Sequence, residues 1–468
     1  MTEGFKSHPY LGNSQQDVDE MLQYLGLSSI EELYSDIPEE IRFKGDLDLP
    51  YYKSEYELIE AIKAKMSKNL TTREIRSFMG GGVLDIYMPA LQDEVLRRTE
   101  FYSAYTPYQP ETSQGTTQAL FEYQSMICEL VGMNVANCSL YDWATAVGEA
   151  ALMASRITKK YKFIYTAATA PNREAVLKNY VVGANLELAA IPYDPATGKM
   201  DIAKAKEMMT EKDENDKYIV AGIYIENPNF FGVIEDELEE IIADAHEKGI
   251  KVVVGADMNS LGLMKPPGEY GADICIGEGQ TIGGGPLNYG GPLLGILAMQ
   301  FDRKETRQMP GRIVGITTTA NEGERAFANT LETREQHIKR ERATSNICTN
   351  EGLVALSCAV HLALLGPEGY KETAETMYLS AHYVVKELEN IGIKRVFNTE
   401  FFNSFMLDLK IPKDKKEEFT SFMLERKIFP GIPFSIDGEN YDYIVTTSYL
   451  LCEEDLNDYV KAIGEWRS

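Results

Sequence analysis

Hydrophobic and polar positions change period several times along the chain, and each change marks an element. The stretch TTQALFEYQSMICELVGM (116–133) sets Leu120, Tyr123, Ile127 and Leu130 at helical spacing and stops at Gly132, a residue suited to the left-handed position past a helix end. YIVAGIYIENP (218–228) is a continuous apolar run, the pattern of a strand buried on both faces. EDELEEIIADAHEKG (235–249) returns to helical spacing through Leu238, Ile241, Ile242 and Ala245, with Gly249 as its stop, and IKVVVGAD (250–257) is again an apolar strand. Strand, helix, strand in that order predicts a right-handed βαβ unit of a parallel sheet. DICIG (273–277) and LGILAMQ (294–300) predict two more short strands, joined by the glycine-rich GEGQTIGGGPLNYGGP.

The two ends of the chain differ in character. Residues 1 to about 75 predict a helical arm, with Ser28 and Glu31, and Ser29 and Glu32, at capping-box spacing and Pro38 shortly after. Such an arm has little core of its own and wraps either the body of the protein or a neighbouring subunit. Beyond 335, amphipathic helices over about 335–364 and 370–391 lead into VFNTEFFNSFMLDL (396–409) and YIVTTSY (443–449), which read as antiparallel strands of a small α+β domain. The expected organisation is an N-terminal helical arm (1–105), a large α/β domain with a mostly parallel sheet (106–335) and a small C-terminal α+β domain (336–468).

Composition agrees with this division and narrows the partners. At 468 residues the chain exceeds one small core, and 44% hydrophobic with 25% charged residues is ordinary for a globular α/β protein. Lys+Arg 46 against Asp+Glu 72 leaves a net charge of −26, which repels nucleic-acid phosphates and anionic membrane surfaces. No apolar run approaches a membrane span and MTEGFKSHPYLGNS lacks the pattern of a secretory leader, so the expected location is cytoplasmic. The six cysteines are scattered, without CxxC or a nearby histidine at metal-ligand spacing, which predicts reduced thiols, no zinc and no disulfide.

Ligands of a parallel α/β sheet bind beyond the carboxyl ends of its strands, which singles out Glu226, Asn227 and Asp257. A large sheet domain followed by a small C-terminal one, with an aspartate at such an end, resembles the fold-type I pyridoxal-phosphate (PLP) enzymes, in which that aspartate holds the pyridinium N–H. Taken alone, Asp257 is equally a loop-capping residue. DICIGEGQTIGGGPLNYGGP, however, resembles the lysine-bearing stretch of the glycine decarboxylase family, with Gln280 and Thr281 standing where that family has a His-Lys pair. The lysine amine bonds covalently to the cofactor aldehyde, and a threonine hydroxyl cannot. Asp257, Gln280 and Thr281 thus outline a degenerate cofactor pocket, and no catalytic residue is assigned. Lys265, in LMKPPGEYGAD, precedes the glycine-rich loop and is badly placed as a substitute.

The resemblance extends over nearly the whole chain. AYTPYQPETSQGTTQALFEYQSMICELVGMNVANCSLYDWATAVGEAALMA (104–154), VVVGADMNSLGLMKPPGEYGADICIGEGQ (252–280) and ETREQHIKRERATSNICTNEGLVAL (332–356), together with SSIEELYSDIP, are similar to the alpha, or subunit 1, branch of the two-chain glycine cleavage P-protein family. That resemblance implies pairing with a homologous beta subunit that carries the PLP lysine, in an α2β2 assembly, so that PLP is bound by the partner rather than by this chain. Together the two would release CO2 from glycine and pass the aminomethyl group to the lipoyl arm of H-protein, which makes the complex an oxidoreductase without a nicotinamide site. No G-x-G-x-x-G opens a helix here. Two other readings stand beside it: an autonomous PLP-dependent decarboxylase using Lys265 or Lys304, and a purely architectural or regulatory subunit.

Three further groups of residues carry expectations. Tyr105, Thr106, Tyr108 and Gln109 form an aromatic and polar turn around Pro107, which either lines the partner's PLP pocket or only packs at an interface. Ser139, Tyr141, Asp142 and Thr145 precede or open the helix WATAVGEAALMA, where free N–H groups favour an anion, but Asp142 as N-cap would repel a phosphate. Arg334, His337, Lys339, Arg340 and Arg342 form a basic cluster on the helix leaving the large domain, either a docking patch for an acidic H-protein or, more readily, a set of ion pairs at domain and subunit contacts.

Overall fold

In the computed structural model, residues 12–467 are described except 46, 50–52, 103–105, 288–290, 322 and 348–350. The chain divides into two units, 1–69 and 70–468. The first carries two helices, α1 (Gln15–Leu25) and α2 (Glu55–Met66), each started by a serine whose hydroxyl accepts the N–H of an acidic residue three positions on, while that carboxylate accepts the serine N–H. The capping boxes expected at Ser28–Glu31 and Ser29–Glu32 are not completed. Ile30–Tyr34 is a single tight turn without a side-chain cap, and Ser28 donates its N–H to Glu32 at 2.9 Å instead. No described residue of α1, α2 or this turn is buried.

The second unit begins with β1 (Arg76–Ser77), which lies parallel to β12 (Ile428–Phe429) near the other end of the chain. Residues 70–102, drawn with the arm from sequence, therefore belong to the body. Phe78 makes the reason plain: it is fully buried in the C-terminal core, beside Tyr459 at 4.1 Å between ring centroids.

Two short helices, α3 (Ala90–Leu96) and α4 (Thr99–Tyr102), precede α5 (Gln114–Val131), which ends as expected on a left-handed Gly132. Then follow β2 (Val135–Ala136), α6 (Trp143–Thr158), β3 (Lys162–Thr166), α7 (Pro171–Val182), β4 (Glu187–Ile191), α8 (Ile202–Met209), β5 (Val220–Asn227), α9 (Leu238–Glu247), β6 (Lys251–Ala256), β7 (Ile274–Glu278) and β8 (Gly295–Met299). The seven strands form one sheet in the order β2-β8-β7-β6-β5-β3-β4, with β3 to β7 mutually parallel, β8 antiparallel to β7, and β2 antiparallel to β8 at the edge. Both faces are covered, which is why the strands are apolar throughout. Ile164, Ile223, Val252 and Val254 face α5, α8 and α9, whereas Phe163, Tyr165, Tyr224 and Val253 face α6 and α7.

A hairpin, β9 (Ile313–Thr318) with β10 (Arg325–Thr330), leads to the one-turn helix α10 (Gln336–Lys339) and to α11 (Gly352–Asn390). The helix predicted from 335 thus starts at 352, and α11 breaks at Gly366, where φ is 62°, with Pro367 following. Before the break Val354, Ala355 and Ala359 pack on the sheet; after it Ala381, Val384 and Leu388 pack in the C-terminal core. The domain boundary expected at 335 therefore falls inside α11. By length and composition α11 could cross a membrane, but its buried side chains belong to these two cores. The small domain is completed by β11 (Ser404–Pro412), α12 (Lys416–Glu425), β12, β13 (Ile432–Phe434), β14 (Asn440–Thr446) and α13 (Glu453–Arg467), with β11-β14-β13 antiparallel as predicted.

Candidate functional site

The carboxyl ends of β5, β6 and β7 converge with the start of α6, and the expected pocket residues lie there. Asp257 follows β6 and caps a short turn, its carboxylate accepting the N–H of Asn259 at 3.0 Å while its carbonyl accepts the Ser260 hydroxyl at 2.7 Å. Burial pushes its pKa up. Its observed partners are those of a loop cap. Gln280 and Thr281 follow β7 in a turn that touches the Asp257 turn, and both are buried. Gln280 accepts the Leu84 N–H at 3.0 Å and donates to the Leu84 and Gly285 carbonyls at 2.9 and 3.1 Å, so its amide is used up in pinning a neighbouring segment. The Thr281 hydroxyl faces the Glu278 carbonyl at 3.4 Å.

Glu278, Trp143 and Arg173 were not singled out in the sequence, and they dominate the site. Glu278, the last residue of β7, is buried and its carboxyl accepts three backbone N–H groups, from Leu294 at 2.7 Å, Gln280 at 3.0 Å and Trp143, the first residue of α6, at 3.2 Å. Those donors pull its pKa down, but burial is the larger effect and pushes it up to about 8. Asp142 caps α6 as expected, accepting the Thr145 N–H at 2.6 Å. The Trp143 ring stacks under the Arg173 guanidinium, 3.9 Å from its centroid, and lies against Gly82 and Gly255. Gly82, with φ 105°, has no room for a Cβ between Arg173 and Trp143.

Arg173 in turn makes a two-pronged pair with Glu226 at 2.7 and 2.9 Å, donates to the Gly81 carbonyl at 3.1 Å, and shares Glu226 with the Tyr224 hydroxyl at 2.9 Å. The one signal available in sequence was a charged residue ending an otherwise apolar run: Glu226 near the end of β5, noted above, and Glu278 at the end of β7, which was not.

PLP needs an amine for its aldehyde, free donors for its phosphate and a slot for its ring. Thr281 offers no amine, Glu278 and Asp142 have taken N–H groups at the start of α6, and Trp143 fills space between Gly82 and Gly255. The residues present do not fit the cofactor. The substitute lysines lie elsewhere: Lys265 is an exposed partner of Glu239 at 2.8 Å, and Lys304 is exposed in a turn.

A second cluster joins residues far apart in sequence. Tyr105 lies outside the described residues. Thr106 is half-buried, Gln109 is exposed, and the Pro107 carbonyl accepts the Asn329 amide at 2.8 Å. Tyr108 is exposed on one side, with the buried Arg312 guanidinium 5.1 Å from its ring centre and the His337 ring edge-on at 6.5 Å. Arg312 pairs with Glu332 at 3.2 Å. The expected basic helix is broken: Arg334 is buried, donating to the carbonyls of Met309 and, at 2.6 Å, Gly311, while His337 and Arg340 are exposed on separate short turns. Arg334 is thus a bracket for the loop before β9 and cannot be part of a docking surface. The helical period that suggested otherwise fails because 331–342 breaks into separate one-turn pieces, with Leu331 and Arg340 at positive φ.

The family model described as glycine cleavage system P-protein matches residues 8–462. A probable glycine dehydrogenase (decarboxylating) subunit 1 of Sulfurisphaera tokodaii is 46% identical over 427 residues, covering 91% of this chain and 92% of that protein. A crystal structure of glycine decarboxylase (P-protein) of the glycine cleavage system, in inhibitor-bound form, is similar at a TM-score of 0.86 and 36% identity, covering 98% of this chain and 100% of that one. A sphingosine-1-phosphate lyase of Burkholderia pseudomallei shares the fold alone, at a TM-score of 0.63 and 14% identity over 92% of this chain and 94% of that one.

Proposed function

This chain belongs to the glycine cleavage system P-protein family, and we propose that it is the alpha subunit of a two-chain glycine decarboxylase whose PLP is held by a homologous beta subunit. The observation that carries this reading is the pairing of a full-length P-protein fold with a cofactor position closed by Thr281, Glu278 and Trp143. With its partner the chain releases CO2 from glycine and passes the aminomethyl group to the lipoyl arm of H-protein. The assembly is α2β2.

This chain's part is to shape the partner's site. Tyr108, held by Arg312 and His337, offers an exposed aromatic face beside Gln109, and we assign this corner to the lining of the partner's PLP pocket or of the lipoyl arm's path. Support comes from the burial of Arg312 beneath the ring, which fixes the direction of the exposed Tyr108 face.

Reconstitution tests the reading. Glycine-dependent exchange of labelled bicarbonate is expected only when this chain, the lysine-bearing chain, PLP and H-protein are mixed. Full exchange without this chain would overturn it, as would exchange by this chain with PLP and H-protein alone.

A further inference from the structure

Where a lysine would stand there is Thr281, and the space around it is filled by other groups. Three backbone N–H groups from three segments, at the end of β7, before β8 and at the start of α6, converge on one point. Such convergence, with a helix N-terminus among the donors, is how backbones hold oxyanions. Among the described residues no backbone carbonyl takes any of the three bonds; the Glu278 carboxyl takes them all. Its position is built rather than incidental. The side chain is buried, Gly279 beside it lies against Leu294 with no space for a Cβ, and Gly295 lies as closely against Leu140 and the Asp142 carbonyl, so both flanking segments are drawn in tightly.

We propose that the Glu278 carboxyl is the built-in occupant of a cradle of three N–H donors, a tethered ligand that joins β7, the start of β8 and the start of α6 in the place where other members of this fold would hold a cofactor phosphate. Trp143 and Arg173 complete the closure, the ring covering the space beside the cradle and the guanidinium tied back to Glu226 and Gly81. The cradle is a structural clasp in this chain, and a small carboxylate is the ligand class it takes once the side chain is removed. The inference rests on the reading that this chain holds no PLP. Its test uses neither PLP nor decarboxylation, so either can fail without the other.

Glu278→Ala removes one CH2 and the carboxyl group, the atoms that acetate supplies. In the full chain, the substitution is expected to lower the thermal midpoint by roughly 5 °C. Millimolar acetate, against chloride at equal ionic strength, should restore most of that loss along a saturable curve. Wild type and Glu278→Gln, which keeps the shape and an acceptor oxygen, should show no such response. Should Glu278→Ala not be recoverable in folded form, the yield on refolding in acetate against chloride becomes the readout, and a gain confined to this variant supports the clasp. An unchanged midpoint in Glu278→Ala, an acetate response equal in all three proteins, or no acetate effect on midpoint or yield overturns it.

Discussion

At the scale of single residues the strongest interaction in the site is the buried pair of Arg173 and Glu226, both side chains almost without solvent contact. Breaking such a pair leaves an unpaired charge in a poor solvent, which costs far more than the pair contributes over an apolar substitute. Glu226→Gln is therefore expected to lower stability by about 3–5 kcal/mol in urea unfolding, whereas Tyr224→Phe, which removes only the hydroxyl shared with Glu226, should cost about 1 kcal/mol. Equal effects would show that the ion pair is not what holds Trp143 in place.

Three buried carboxyls give the protein a pH signature. Burial raises Glu149 and Glu235 to about 7 and Glu278 to about 8. Each is raised above its unfolded value, so the folded state holds the extra proton. The resulting stability is complete below the ordinary carboxylate range and is lost as pH climbs through 7 and 8. Unfolding free energy should fall from the ordinary carboxylate range up to about pH 8, by about 3 kcal/mol for Glu149 and Glu235 and about 5 kcal/mol for Glu278. Glu149→Gln, which keeps an oxygen for the Ser345 hydroxyl, should flatten the slope. A profile flat from weakly acidic to weakly alkaline pH would contradict the assignment.

At the scale of elements, the large and small domains meet where backbone touches backbone. Gly232, after β5, has a φ of 84°, and a Cβ there would lie 2.0 Å from the Ser404 carbonyl at the start of β11. Neither neighbour is a side-chain tip that can swing away. Gly232→Ala should destabilise by about 3 kcal/mol, with the loss seen first in amide exchange of β11 and β14. Exchange loosened equally in β3 would mean the two domains unfold as one.

These contacts also explain what could be read from local pattern. The buried runs of β5 and β6 and the spacing of α5 and α9 are visible because each element must bury one face or both, and its neighbours in sequence say so. The β9–β10 hairpin escaped notice because most of its side chains are only partly covered or exposed, which weakens any period. The continuous helix drawn from 335 failed for a different cause: a helical spacing of apolar residues persisted through a segment whose caps and turns break it.

At the scale of the whole molecule, the missing lysine is one part of a wider change. Restoring it by Thr281→Lys should not create a PLP site, because Glu278, Asp142 and Trp143 would still occupy the phosphate donors and the adjacent space. Absorbance with PLP and borohydride fixation are the measurements, and a stoichiometric fixed band in this variant would sink the account of closure. Tyr108→Ala tests the other end of the proposal. It should leave the chain's thermal midpoint near wild type while reducing exchange activity of the reconstituted complex about tenfold or more, since the ring is exposed here and expected to be covered there.

The amino-acid sequence by itself determined the class of fold, the parallel strand units, the caps at Asp142 and Gly132 and the absence of a lysine at Thr281, because each depends on residues within a few positions of one another. Only the tertiary structure decided that Tyr108 meets His337, that Arg334 is buried, that the domains divide inside α11, and that Glu278 gathers three N–H groups. Those facts depend on which distant segments share a space, and a carboxylate at a strand end carries no mark of the donors that will surround it. The degenerate pocket legible in the sequence as an absence is, in three dimensions, a filled and hydrogen-bonded place.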